Sequence, residues 1–123
     1  MNCHPLPVLI DLSDKTVLLL SGKDAGDPVT AKLVRVLSSC TPRLKVLSPA
    51  PSPLLIQVSE ENQISLEVKG YDRNDLYGAD VVFGIGLAPA VMDDVYAACH
   101  TLGIRLCMLS QPSRSDFTLQ EGF

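Results

Sequence analysis

The sequence runs to 123 residues, 46% of them hydrophobic and 20% charged, with a formal net charge of −4. That length suits one domain and that apolar share suits a packed core, which excludes a disordered chain. The acidic balance, with no Lys/Arg cluster, argues against a nucleic-acid partner, and no apolar run nears the roughly 18–20 residues that cross a bilayer.

The opening Met1-Asn2-Cys3-His4-Pro5 lacks the basic and apolar regions of a signal peptide, so a cytoplasmic chain is expected. Thr16 to Leu20 is a short apolar run closed by Ser21-Gly22, as a buried parallel strand would be. Asp27-Pro28 reads as a helix N-cap followed by proline at the first helical position. Val29, Leu33, Val36, Leu37 and Cys40 then recur at helical spacing, with Lys32, Arg35 and Ser39 on the other side. Leu44 to Leu47 predicts a second strand, closed by Ser48-Pro49. Ala50 to Pro53 is loop-like, and Leu54, Leu55 and Val58 suit a short helix. Ile64 to Val68 alternates apolar and polar residues, the pattern of an edge strand. Val81-Val82-Phe83 is continuous and apolar, hence central. Val91, Val95, Ala98 and Leu102 keep helical spacing up to Gly103, a C-terminal stop. Ile104 to Leu109 predicts the last strand, followed by a turn at Gln111-Pro112-Ser113.

The alternation predicts one α/β domain over residues 1–123. It is a Rossmann-like parallel sheet of about five strands in the order 3-2-1-4-5, with helices on both faces. The cysteines, Cys3, Cys40, Cys99 and Cys107, make no CxxC pair, and Cys99-His100 are helical neighbours whose side chains diverge. They read as reduced, small hydrophobes, with no metal site.

In such sheets ligands bind at the carboxyl ends of the strands, where the strand order reverses. That points to the loops after Leu20, Phe83 and Leu109. Ser21-Gly22-Lys23-Asp24-Ala25-Gly26 stands where a glycine-rich phosphate loop would stand, between first strand and first helix. Gly22 and Gly26 would let the backbone approach a pyrophosphate, Lys23 could meet it, and Asp24 and Asp27 add negative charge beside it. No acid closes the second strand to hold a ribose hydroxyl; Ser48 is there instead.

Several stretches resemble one family in order and spacing. Leu6-Pro7-Val8-Leu9-Ile10-Asp11-Leu12 is similar to the "LPLFxDL" opening of the precorrin-2 dehydrogenase/sirohydrochlorin ferrochelatase family, the NAD-binding module of siroheme synthase. Val17 to Lys23 resembles its "VLVVGGG", Val46-Leu47-Ser48-Pro49 its "VVAP", and Asp75 to Phe83 its "DLxGAxLVI". Gly103 to Phe117 follows "GxLVNVVDDPxxCDF", sharing Pro112, Asp116 and Phe117. The resemblance implies siroheme synthesis: NAD takes a hydride from the tetrapyrrole precorrin-2, giving sirohydrochlorin, and some members then insert ferrous iron. It also implies an acid/base at the end of the last strand.

The chain departs from that pattern at the chemical positions. Ser110 and Gln111 stand where the family has two aspartates, leaving Ser110 and Asp116 as the catalytic candidates, with capping of the following turn as the plainer role for Asp116. Ile85-Gly86-Leu87-Ala88 replaces a polar segment, with Gly86 as a cofactor-loop candidate, and Cys107 replaces an asparagine. His100 lies late in a helix and suits a solvent-facing position. Family members continue past Phe117 into a helical dimerisation region, whereas this sequence ends at Phe123. A homodimer, or docking onto another tetrapyrrole enzyme, is therefore expected, burying Leu119 and Phe123 and engaging the open edge at Ile64–Val68. Three readings stand: an active minimal dehydrogenase or chelatase, a degenerate relative that binds a tetrapyrrole or nucleotide, and an interaction domain with a vestigial site.

Overall fold

The structure is a computed structural model that describes residues 6, 8–23, 27–109 and 111–119, with Asp27 described in its backbone only. Strand β1, Val17–Ser21, is buried at every residue because it runs between two parallel neighbours and is covered on both faces. The chain continues through α1 (Asp27–Cys40), β2 (Leu44–Ser48), α2 (Pro53–Glu61) and β3 (Ser65–Val68). It then crosses back through a 3₁₀ turn (Arg73–Leu76) to β4 (Val81–Ile85), α3 (Pro89–Leu102), β5 (Arg105–Met108) and a final 3₁₀ turn (Pro112–Arg114). All pairings are parallel, in the order β3-β2-β1-β4-β5, so the expected fold and strand order are found. The reversal lies between β1 and β4, where Leu19 is level with Val46 on one side and Phe83 on the other.

Side-chain alternation along the strands makes two apolar layers. Val17, Leu19, Val46, Phe83 and Cys107 pack with Leu33, Val34 and Leu37 of α1 and Leu55 and Val58 of α2. Leu18, Leu20, Leu47, Val82, Leu106 and Met108 pack with Val95, Ala98 and Cys99 of α3 and with Leu76 of the first 3₁₀ turn. The stripe that α1 buries is rotated from the expected one. Thr30, Ala31, Leu33, Val34 and Leu37 face the sheet, while Val29 and Cys40 are exposed. Ala31 and Val34 lie in the same buried layer as Leu33 and Leu37, a choice of face that helical spacing alone does not make.

Helix ends follow local chemistry. Ser52 caps α2 by accepting from Leu55 N–H at 3.1 Å. Gly103 ends α3 in the left-handed region at φ 71°. The crossover from β3 to β4 carries only the one 3₁₀ turn, yet it spans much of the sheet, and polar contacts hold it. Asp72 and Asp75 form a capping box around the turn, and Lys69 Nζ lies 2.7 Å from Asp75 Oδ1. Tyr71 donates its hydroxyl hydrogen to Asp94 Oδ2 at 2.6 Å, and Arg73 Nη2 reaches Asp94 Oδ1 at 2.5 Å, tying the crossover to α3. Arg73 and then Tyr71 hold the Asp94 carboxyl below its usual range.

The outer edge of β5 is covered by the chain that follows it. Leu106 N–H donates to Asp116 Oδ2 and Met108 N–H to Ser115 Oγ, each at 2.8 Å, and Asp116 N–H returns to Leu106 O at 2.7 Å. Two side chains thus take the place of a neighbouring strand. Asp116→Ala leaves the Leu106 N–H, on a residue only 2% exposed, without its acceptor, and is expected to cost about 1–3 kcal/mol in denaturant unfolding. Asp116→Asn keeps an acceptor oxygen and should stay near wild type; an unchanged midpoint for Asp116→Ala would contradict this bonding. Phe117 then packs edge-on to Phe83, ring centroids 5.6 Å apart, and Leu119 joins the same layer. Leu119 is partly buried against the chain's own core, and Phe123 lies outside the described residues.

Cys99 and Cys107 are buried, and burial pushes each thiol up to about 11. A thiol kept neutral in the fold adds stability that is complete below its ordinary value near 9 and is lost as the pH climbs through about 11. The effect amounts to roughly 2–3 kcal/mol per thiol. Denaturant midpoints should fall across that range, and less so in a Cys99→Ala/Cys107→Ala variant; identical slopes would contradict the assignment.

Candidate functional site

The reversal between β1 and β4 brings two loops into backbone contact. Gly22 N–H donates to Ile85 O at 2.9 Å, extending the β1–β4 ladder past its last pair. A Cβ on Gly22 would stand 2.1 Å from Gly86 O and 2.9 Å from Leu87 Cα, so only glycine fits there. Gly86 turns at φ 63°, a conformation that also favours glycine. The crevice floor is therefore set by Gly22 and Gly86 together, two residues far apart in sequence.

Two helices start at this end of the sheet. The 14-residue α1 follows the β1 loop, and the 14-residue α3 follows the β4 loop, where Ala88 provides no side-chain cap and Pro89 occupies the first turn. Helix N-termini carry unpaired N–H groups and positive dipole ends. Among the described residues of the loops after β1, β2, β4 and β5 (22–23, 49–52, 86–88, 109 and 111), Lys23 is the one charged side chain. These residues form a set of backbone donors and one exposed cation, which fits the pyrophosphate of a dinucleotide. The same described residues hold no carboxylate, imidazole or thiol, so they offer binding rather than proton transfer.

The residues anticipated from the sequence fall in three groups. Ser21, Gly22, Lys23 and Gly86 come together at the crevice, Ser21 being 5% exposed and Lys23 open to solvent. Ser48 closes β2 as anticipated but is only 3% exposed, and its carbonyl accepts from Lys69 N–H at 3.0 Å. Asp24, Ala25, Gly26 and Ser110 lie outside the described residues. Asp116 stands apart from the crevice, level with Leu106 on the outer edge of β5, its Oδ2 engaged with the Leu106 backbone. There it borders a small pocket of about 80 Å³ with Tyr96, Cys99, His100 and Arg114. Arg114 in turn pairs with Asp93 and lies 5.6 Å from the Tyr96 ring centroid. His100 is exposed at the end of α3, as expected, and among the described residues no three His, Cys, Asp or Glu side chains gather to hold a metal. The placement of Lys69 beside the end of β2 was not anticipated, because strand register, not local pattern, brings it there.

Residues 8–120 match the model of the family described as "Putative NAD(P)-binding". Among solved structures, the fold is similar to that of "SirC, precorrin-2 dehydrogenase", with a TM-score of 0.64 and 17% sequence identity. The alignment covers 76% of this chain and 46% of that one, so the chain spans about half the length of that structure. At this identity the likeness shows a shared fold. No curated protein matches the chain.

Proposed function

The chain belongs to the NAD(P)-binding family matched over residues 8–120, and from that membership we propose that it binds NAD and presents it to a tetrapyrrole, as a precorrin-2 dehydrogenase would. The observation that supports this best is the strand reversal itself, where the backbones at Gly22 and Gly86 meet, the exposed Lys23 follows β1 and the described loop residues hold no carboxylate. NAD, when bound, supplies the hydride acceptor that turns precorrin-2 into sirohydrochlorin. The chain's part is to bind and orient. Backbone N–H groups at the start of α1, with Lys23, would hold the pyrophosphate, and the end of β2 at Ser48 would border the adenosine ribose. The proton released with the hydride leaves through Ser110 or to water. Iron insertion is outside this proposal.

A second reading, binding without turnover, is favoured by one observation. Asp116, the carboxylate nearest in sequence to the end of β5, is occupied by the Leu106 N–H. Purified protein given NAD and precorrin-2 separates the two by NADH absorbance and by calorimetry. Slow NADH formation supports the dehydrogenase, and bound NAD with no NADH supports the second reading. Absence of NAD binding would overturn both.

A further inference from the structure

Resting on the reading that a dinucleotide binds at this crevice, we propose that its adenosine end accepts a 2′-phosphate, so that NADP binds at least comparably to NAD, with Lys69 as the cation that meets the phosphate. Folds that select NAD place a carboxylate at the end of the second strand, where it bonds the ribose hydroxyls and repels a phosphate. Here β2 ends in Ser48, and Pro49, Ala50, Pro51 and Ser52 follow with no acid. The first turn of α2 has none either. The repulsive element that would exclude NADP is therefore missing from the strand end, the loop and the helix start, and exclusion of a competitor generally needs such an element.

A cation is also at hand. Lys69 N–H donates to Ser48 O at 3.0 Å, which carries the β2–β3 ladder one step past Ser48↔Val68 and sets Lys69 beside the end of β2. Its side chain is 39% exposed and meets Asp75 at 2.7 Å. An ammonium has three donors, and the Asp75 contact occupies one, so two remain for a phosphate. Three acids, Asp75, Asp72 and Glu67, also act on Lys69 through their charge, and a phosphate would have to compete with them for it. Glu67 pairs with Lys45 at 3.0 Å, Asp72 accepts from Asn74 N–H, and Asp94 is bound by Tyr71 and Arg73.

Isothermal titration of the wild-type chain with NAD and, separately, NADP tests this. NADP affinity equal to that for NAD within tenfold, or tighter, supports the proposal; NAD more than tenfold tighter overturns it while leaving the dinucleotide site standing. Failure of both to bind overturns the underlying site as well. Lys69→Gln should weaken NADP at least fivefold and leave NAD unchanged, with Lys69→Arg restoring NADP. Equal weakening of both dinucleotides by Lys69→Gln would remove Lys69 from the phosphate contact.

Discussion

Gly22→Val is expected to lower the melting temperature by on the order of 10 °C, and to weaken NAD binding as a consequence. The Cβ alone would stand 2.1 Å from Gly86 O, a clash with backbone that no rotamer relieves. Either the loop after β1 or the loop after β4 must move, losing the bond from Gly22 N–H to Ile85 O. Overpacking commonly costs about 1–3 kcal/mol, and a collision with backbone belongs at or above the upper end. This glycine therefore builds the crevice before any ligand arrives, a role distinct from letting a pyrophosphate approach. Lys23→Gln provides the contrast: its side chain is exposed, so affinity should fall with little change in melting temperature. A Gly22→Val protein as stable as wild type would show that the two loops do not meet as described.

The largest expected gain is in rate. With Ser110→Asp, NADH formation from precorrin-2 at saturating NAD should rise, because a positioned general acid or base contributes about 10²–10⁴-fold. The backbone on either side of that position is fixed: Leu109 N–H donates to Gly84 O at 2.9 Å, and Gln111 N–H to Met108 O at 3.0 Å. Ser110 itself lies outside the described residues, and the described residues of the loops at this end of the sheet hold no carboxylate. NAD affinity measured alongside should be unchanged, which assigns the gain to chemistry. A wild-type rate already typical of dehydrogenases and indifferent to the substitution would contradict this role for the position.

The sheet was legible in the sequence because its central strands are written as continuous apolar runs. Val17 to Leu20 and Val81 to Phe83 have no polar face to spare, and the structure places them side by side in the middle of the sheet. Alternation at Ile64 to Val68 marked an edge, and β3 is one, with Val68 65% exposed. Gly103 marked the end of α3 through a conformation that is a local property of a single residue. What stayed hidden depends on register. The contact between Gly22 and Gly86, the tie from Tyr71 and Arg73 to Asp94, and the bond from Leu106 to Asp116 join residues that no periodicity links. For Asp116 the sequence offers a chemical role, through the resemblance, beside a local capping one, and only the register of the chain after β5 shows that its Oδ2 accepts the Leu106 N–H.

Amide chemical shifts followed by heteronuclear NMR during a titration with NAD give the sharpest test of a dinucleotide site at the strand reversal. Saturable shifts are expected at Gly22, Lys23, Val29, Gly86 and Leu87, around the junction of β1 and β4. Shifts confined to Tyr96, His100 and Arg114 beside β5, or none at all, would contradict it.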